Sequence, residues 1–130
     1  MASNVFSVDS YIELQALQRV FREAKFCFDP SDLEISPSPV VARMYGRLIA
    51  VLVDVNVEKY GESSREDMIR WLTIDPTRSE WQVAVSRARG DETWRNLTDA
   101  ELSVYIETLF APFIISPELI AQFMLAIRET

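Results

Sequence analysis

Histidine is absent from this chain of 130 residues, cysteine occurs once, lysine twice and glycine three times. Each shortage removes a chemistry. Without histidine the usual base beside a serine or cysteine nucleophile is missing, leaving only a Ser–Lys or Cys–Asp arrangement. Lys25 and Lys59 are expected on helix surfaces or ends, away from such a role. Structural zinc takes Cys and His ligands, so the composition excludes it. Cys27 alone forms no internal disulfide, which fits a reducing compartment, and its neighbours Phe26 and Phe28 favour a buried, unreactive thiol. No glycine-rich loop is there to cradle a phosphate. The longest strongly apolar run, Leu48–Val53, is far too short to span a bilayer. Met1 to Phe6 hold neither a basic stretch nor a continuous apolar one, so no signal peptide is expected and the expected location is cytoplasmic. Two carboxylate groups pass these filters. Asp29, Asp32 and Glu34 lack the glycine and the terminal Glu spacing of a calcium loop. Asp54 and Glu58, one helical turn apart, share a stripe with Arg43 and Arg47 as ready ion-pair partners. No metal or cofactor is expected.

What is present points to a packed soluble domain. Hydrophobic residues are 48 % of the chain, with seven Phe, four Tyr and three Trp, and 25 % of residues are charged, which argues against disorder. Residues 1–130 read as one domain. The net charge of −7 repels nucleic acid overall, although a local basic patch is compatible with it. Eleven of the 13 bases are arginine, the side chain suited to forked bonds with carboxylate and to partial burial.

Helix starts are abundant. Six times a Ser or Thr is followed three positions later by Glu or Gln: Ser10/Glu13, Ser31/Glu34, Ser63/Glu66, Thr77/Glu80, Ser79/Gln82 and Thr98/Glu101. This is the spacing of the capping box, and about two such pairs would arise by chance, so most are expected to open helices. Apolar periodicity agrees with a helix over Ser10–Phe28, with Leu14, Leu17, Phe21, Ala24 and Phe28 inward. Further helices are predicted from Ser63 or Ser64 to Leu72 (Met68, Ile69 and Leu72 inward) and from Ser79 to Arg89 (Trp81, Ala84, Val85 and Ala88 inward). Thr98 opens another, broken at Pro112, and Ser116-Pro117 the last. Arg89-Gly90-Asp91 is read as a helix end with Gly90 as a left-handed cap rather than as a recognition tripeptide. Asn96-Leu97-Thr98 reads as a helix cap rather than a glycosylation site.

Val40–Tyr60 supports two readings. As a strand over residues 47–58, its valines alternate with Asp54, Asn56 and Glu58, giving an α+β fold. As a helix, it starts at Ser38-Pro39, stops at Gly61, and confines Arg43, Arg47, Asp54 and Glu58 to one narrow stripe. The helix is preferred, because the rest of the chain offers a lone strand few partners. The fold expected is therefore an all-α bundle of five or six helices around a central apolar helix, sheathed by the others, with Gly46 and Ala50 allowing a close crossing.

One surface signal stands out. Arg65–Arg95 holds six arginines and all three tryptophans, residue types enriched at binding hot spots. Arg70, Arg78, Trp81, Arg87, Arg89, Trp94 and Arg95 are the candidate partner-binding residues. The chain beyond Arg95 is acidic outside and apolar inside, which suits a partner helix or self-association. The function expected is a non-enzymatic adaptor, inhibitor or regulatory subunit binding another protein, with a homo-oligomer compatible. The alternative is a self-assembling nucleic-acid-associated protein of the small coat or nucleocapsid type.

Overall fold

The longest helix is fixed at both ends by local chemistry. Ser38 Oγ accepts from the Val41 N–H at 3.2 Å and Pro39 occupies the first turn. At the other end Gly61, at φ 95°, leaves the helix in a conformation that favours glycine while its N–H still donates to Val57 at 2.8 Å. In the computed structural model, which describes residues 4–129, Pro39–Tyr60 is one helix of about 33 Å, and the strand alternative for 47–58 is not adopted.

Among the described residues the protein is an all-α bundle of six helices: α1 (Tyr11–Lys25), α2 (Pro39–Tyr60), α3 (Ser63–Leu72), α4 (Ser79–Arg89), α5 (Asp99–Phe110) and α6 (Pro117–Arg128). A 3-10 turn, Thr93–Asn96, precedes α5. Helix α2 packs on α1, α3 and α5, while α4 packs on α5 and α6. Two backbone bonds tie the α3–α4 and α5–α6 linkers, Ile74 N–H to Ile114 at 2.8 Å and Ile114 N–H to Leu72 at 2.7 Å. Among the described residues no helix is long and apolar enough to cross a membrane.

Residues from all six helices share the core. Its aromatic centre is Trp81, Phe110 and Phe123, with ring centroids 5.2–5.7 Å apart. Around them Tyr45, Leu52, Leu102, Ile106, Leu109 and Ile127 are fully enclosed.

Several expectations need correction. Of the six Ser/Thr pairs only two cap helices. Thr98 and Glu101 form a full capping box, and Ser10 Oγ accepts from Glu13 N–H while the Glu13 carboxylate takes Asp9 N–H instead. Helices α3 and α4 start without a side-chain cap, and Ser31/Glu34 lies in a loop. Glu80, paired on paper with Thr77, is drawn into the interior by two arginines, a stronger attraction than one capping bond. The two Ser-Pro starts, at Ser38 and Ser116, cap as the sequence indicated. Helix α1 ends at Lys25 rather than Phe28, because Phe26 turns onto Phe113 (5.4 Å between centroids) and leaves Phe28 exposed. Gly90 sits at φ −86°, in the ordinary right-handed region. Cys27 is only partly buried, and Ile69 is exposed. Helix α2 is not sheathed all round: Val40, Met44 and Val51 are 52 %, 48 % and 48 % exposed beside its charged stripe.

The Thr98 box makes a direct stability prediction. Thr98→Ala removes the hydroxyl that accepts from the Glu101 N–H, while the backbone N–H of position 98 can still donate to the Glu101 carboxylate, and should cost about 1 kcal/mol. For this length that is a melting-temperature drop of about 4 °C, read by circular dichroism.

Candidate functional site

The seven residues singled out from the sequence do not form one surface. Trp81 and Trp94 are 5 % and 4 % exposed, and both are core, so neither ring can meet a partner. Trp94 donates its indole N–H to the Ala88 carbonyl at 2.7 Å. Arg87 and Arg89 act as staples between different elements. Arg87 Nη2 donates to the carbonyls of Cys27 and Phe28, each at 3.3 Å, and Arg89 reaches the Ala126 carbonyl at 2.8 Å. Arg95 lies over the Trp94 ring at 4.9 Å, and Arg70 pairs with Asp67 on the exposed side of α3.

Arg78 sits at the centre of a network that no local sequence pattern marks. Its guanidinium lies 4.8 Å from the Phe113 ring centroid and 5.8 Å from that of Trp71, and it donates to the Trp71 and Thr73 carbonyls. It also donates to Glu80 at 3.1 and 3.3 Å, while Arg22 of α1 binds Glu80 Oε2 through Nε (3.1 Å) and Nη2 (2.8 Å). Burial alone would raise the Glu80 carboxyl, but the Arg22 and then the Arg78 bonds outweigh it and hold the group below the usual range. This contribution to stability is present at neutral pH and is lost as acid titrates the carboxylate. The network locks α1 to α4 and sets Trp71, the half-exposed tryptophan (38 %), at the edge of a groove.

That groove runs along α1 past Gln18, Arg19, Val20, Arg22, Glu23 and Ala24 and ends on Trp71, with a volume of about 740 Å³. Sharing Gln18 and Trp71 with it is a smaller pit of about 140 Å³ between α1, α2 and α3. Ile49, Leu52 and Met68 give the pit apolar walls, and Gln15, Gln18 and Asn56 add amides. The amides are anchored. Gln18 Nε2 donates to Tyr45 Oη at 3.0 Å, and Tyr11 Oη donates to Asn56 Oδ1 at 2.9 Å. Burial pushes the Tyr45 phenol up to about 12, so it stays neutral at physiological pH. The pit is close in size to the roughly 150 Å³ apolar cavity that accepts benzene, so it suits one apolar side chain. Its walls hold amides, a thioether and an indole, but no acid, base or nucleophile. The arrangement can hold an apolar group and offer hydrogen bonds at its edge.

A second groove of about 700 Å³ includes Leu33, Pro37, Arg87, Asp91 and Tyr105 in its walls. Here Tyr105 Oη donates to Asp91 at 2.8 Å. Burial first, then that carboxylate, push the phenol well above its ordinary range. Burial would also raise Asp91, yet the Thr93 backbone and hydroxyl donors and the Tyr105 phenol keep it low. Asp91, Thr93 and Tyr105 satisfy one another, while the buried Arg87 Nε in the same wall has no partner among the described residues.

Trp71 was within the Arg/Trp segment, but nothing in its spacing set it apart from Trp81 and Trp94. The chain has no match among protein-family models, curated proteins or solved structures.

Proposed function

We propose that the protein is a non-enzymatic interaction module, an adaptor, inhibitor or regulatory subunit, that seats an apolar side chain of a partner protein in the Trp71 pit. The observation that carries this reading is the pit itself, an apolar socket beside a half-exposed tryptophan, opening next to a groove lined by Arg19 and Arg22. Binding hot spots combine those parts: a rigid aromatic, a desolvated pocket and arginine at the rim. The charged residues along α1 then form the polar edge of the contact. The nucleic-acid alternative gains less support, because several arginines of the 65–95 segment are already held by protein carboxylates or carbonyls.

The test is capture of a partner from the native host by the tagged wild-type chain and by two variants. Trp71→Ala removes the aromatic wall, and Gln15→Trp covers the mouth of the pit from the partly exposed side of α1. Each should weaken the partner's binding by roughly thirtyfold, the scale of a hot-spot loss, while the circular dichroism spectrum is retained. Equal binding by the wild type and both folded variants would remove the pit from consideration.

A further inference from the structure

The outward face of α2 has a charge order that the single chain does not use. Arg43 and Arg47 lie in its amino-terminal half and Asp54 and Glu58 in its carboxy-terminal half, all on the solvent side. This opposes the helix dipole, which favours acids near the amino end and bases near the carboxy end. It also places like charges one turn apart, twice, a destabilising spacing. The ion pairs that the shared stripe suggested do not form: among the described residues Arg43, Arg47 and Glu58 have none, and Asp54 has only a loose contact with Arg65 at 3.9 Å. Positions 47 and 54 lie about 10 Å apart along the axis, too far for direct contact. Between and beside these charges sit the exposed apolar residues Val40, Met44, Ala50 and Val51.

The order has a symmetry. Positions 43 and 58, and positions 47 and 54, are each placed evenly about the midpoint between Ala50 and Val51. We infer that α2 pairs with α2 of a second copy of this chain, antiparallel about a two-fold axis at that midpoint. Arg43 then meets the second copy's Glu58 and Arg47 its Asp54, each pair occurring twice, as an isologous contact requires. Opposed dipoles and four ion pairs relieve the unfavourable order within one chain. Small residues permit the approach: Ala50 lies at the axis, and a Cβ added at Gly46 would meet no atom within 4 Å. Val51 and Met44 are covered in the same contact. This face is turned away from the Trp71 pit, which takes Ile49, Leu52 and Asn56 from the inner side of α2, so pairing leaves the pit open.

Sedimentation velocity on the full chain over a concentration series tests the inference. The wild type is expected to show a reversible dimer that weakens with added salt. Arg43→Glu with Arg47→Glu gives a wholly acidic face, and Asp54→Arg with Glu58→Arg a wholly basic one. Each double variant alone should dimerise at least roughly tenfold more weakly, since like charges now face each other. Mixed in equal amounts, the two should recover a 1:1 heterodimer, because all four cross-pairs are then of opposite sign. The substituted side chains are exposed, so unchanged circular dichroism is the folding control. A wild type that stays monomeric throughout, or a dimer that neither double variant weakens, overturns the proposal, and neither result bears on the Trp71 pit.

Discussion

Trp81→Ala should lower the melting temperature by about 15 °C. The indole is 5 % exposed and packs against Phe110 at 5.7 Å and edge-on to Phe123 at 5.3 Å. Truncating an enclosed tryptophan removes its transfer free energy and leaves a cavity that rigid neighbours close only in part, a cost of about 4 kcal/mol. With an unfolding entropy near 2.1 cal/mol/K per residue, a domain of this length converts that loss to the stated shift. Differential scanning calorimetry reads it directly. A drop of only a degree or two would mean that the ring is not part of the core. Because a domain's whole stability is about 5–15 kcal/mol, any binding defect of this variant would report unfolding rather than a lost contact.

The second large effect belongs to Lys25, and its sign depends on pH. The sequence pattern put this lysine on a helix surface; instead it is 1 % exposed at the end of α1. Its Nζ donates to the carbonyls of Thr108 at 2.5 Å and Ala111 at 2.6 Å, where α5 ends, and its own carbonyl accepts from Ser36 Oγ at 2.7 Å. The amine thus supplies donors that the last turn of α5 lacks. Burial pulls its pKa down to about 7 from an ordinary 10.5. Between those values the unfolded chain holds a proton that the folded chain has released, so stability rises with pH across this window, by at most about 1.4 kcal/mol per unit. Lys25→Met separates the two contributions. At pH 10 the variant should be less stable by about 2–4 kcal/mol, because two partly buried carbonyls lose their donor. At pH 6 the wild type carries the full cost of a buried charge, so the deficit should shrink towards zero or reverse. Urea unfolding of both proteins at the two pH values measures the difference. A deficit that is the same at pH 6 and pH 10 would show that Lys25 titrates as a solvated amine.

The legible parts of this fold are those that depend on neighbours in the chain. Ser38-Pro39 and Gly61 delimit α2, Ser116-Pro117 opens α6, and Thr98/Glu101 opens α5, because a cap is built from a few consecutive residues. The same rule over-counted elsewhere. Glu80 and Glu34 have the spacing of a capping partner, but Arg22 and Arg78 claim the first and the second lies in a loop that never becomes helical. Periodicity identified Trp81, Ala84, Val85 and Ala88 as inner residues of α4, although it could not rank Trp71 against Trp81. Both lie in short helices within one arginine-rich segment, and only the packing of α4 against α5 and α6 encloses one of them.

From the sequence alone follow a preference for a helical bundle over an α+β fold, the caps that bound residues 39–60 as a helix, and the exclusion of histidine-dependent chemistry, because these rest on composition and on contacts a few residues apart. Only the tertiary structure decided that residues 47–58 are helix, that Lys25 goes inside, that Arg22, Arg87 and Arg89 join separate elements, and that α1, α2 and α3 leave a pit beside Trp71. Those outcomes depend on which helices meet and at what angle. Pairs such as Arg22 with Glu80, or Lys25 with Ala111, lie 58 and 86 positions apart, beyond the reach of any local pattern.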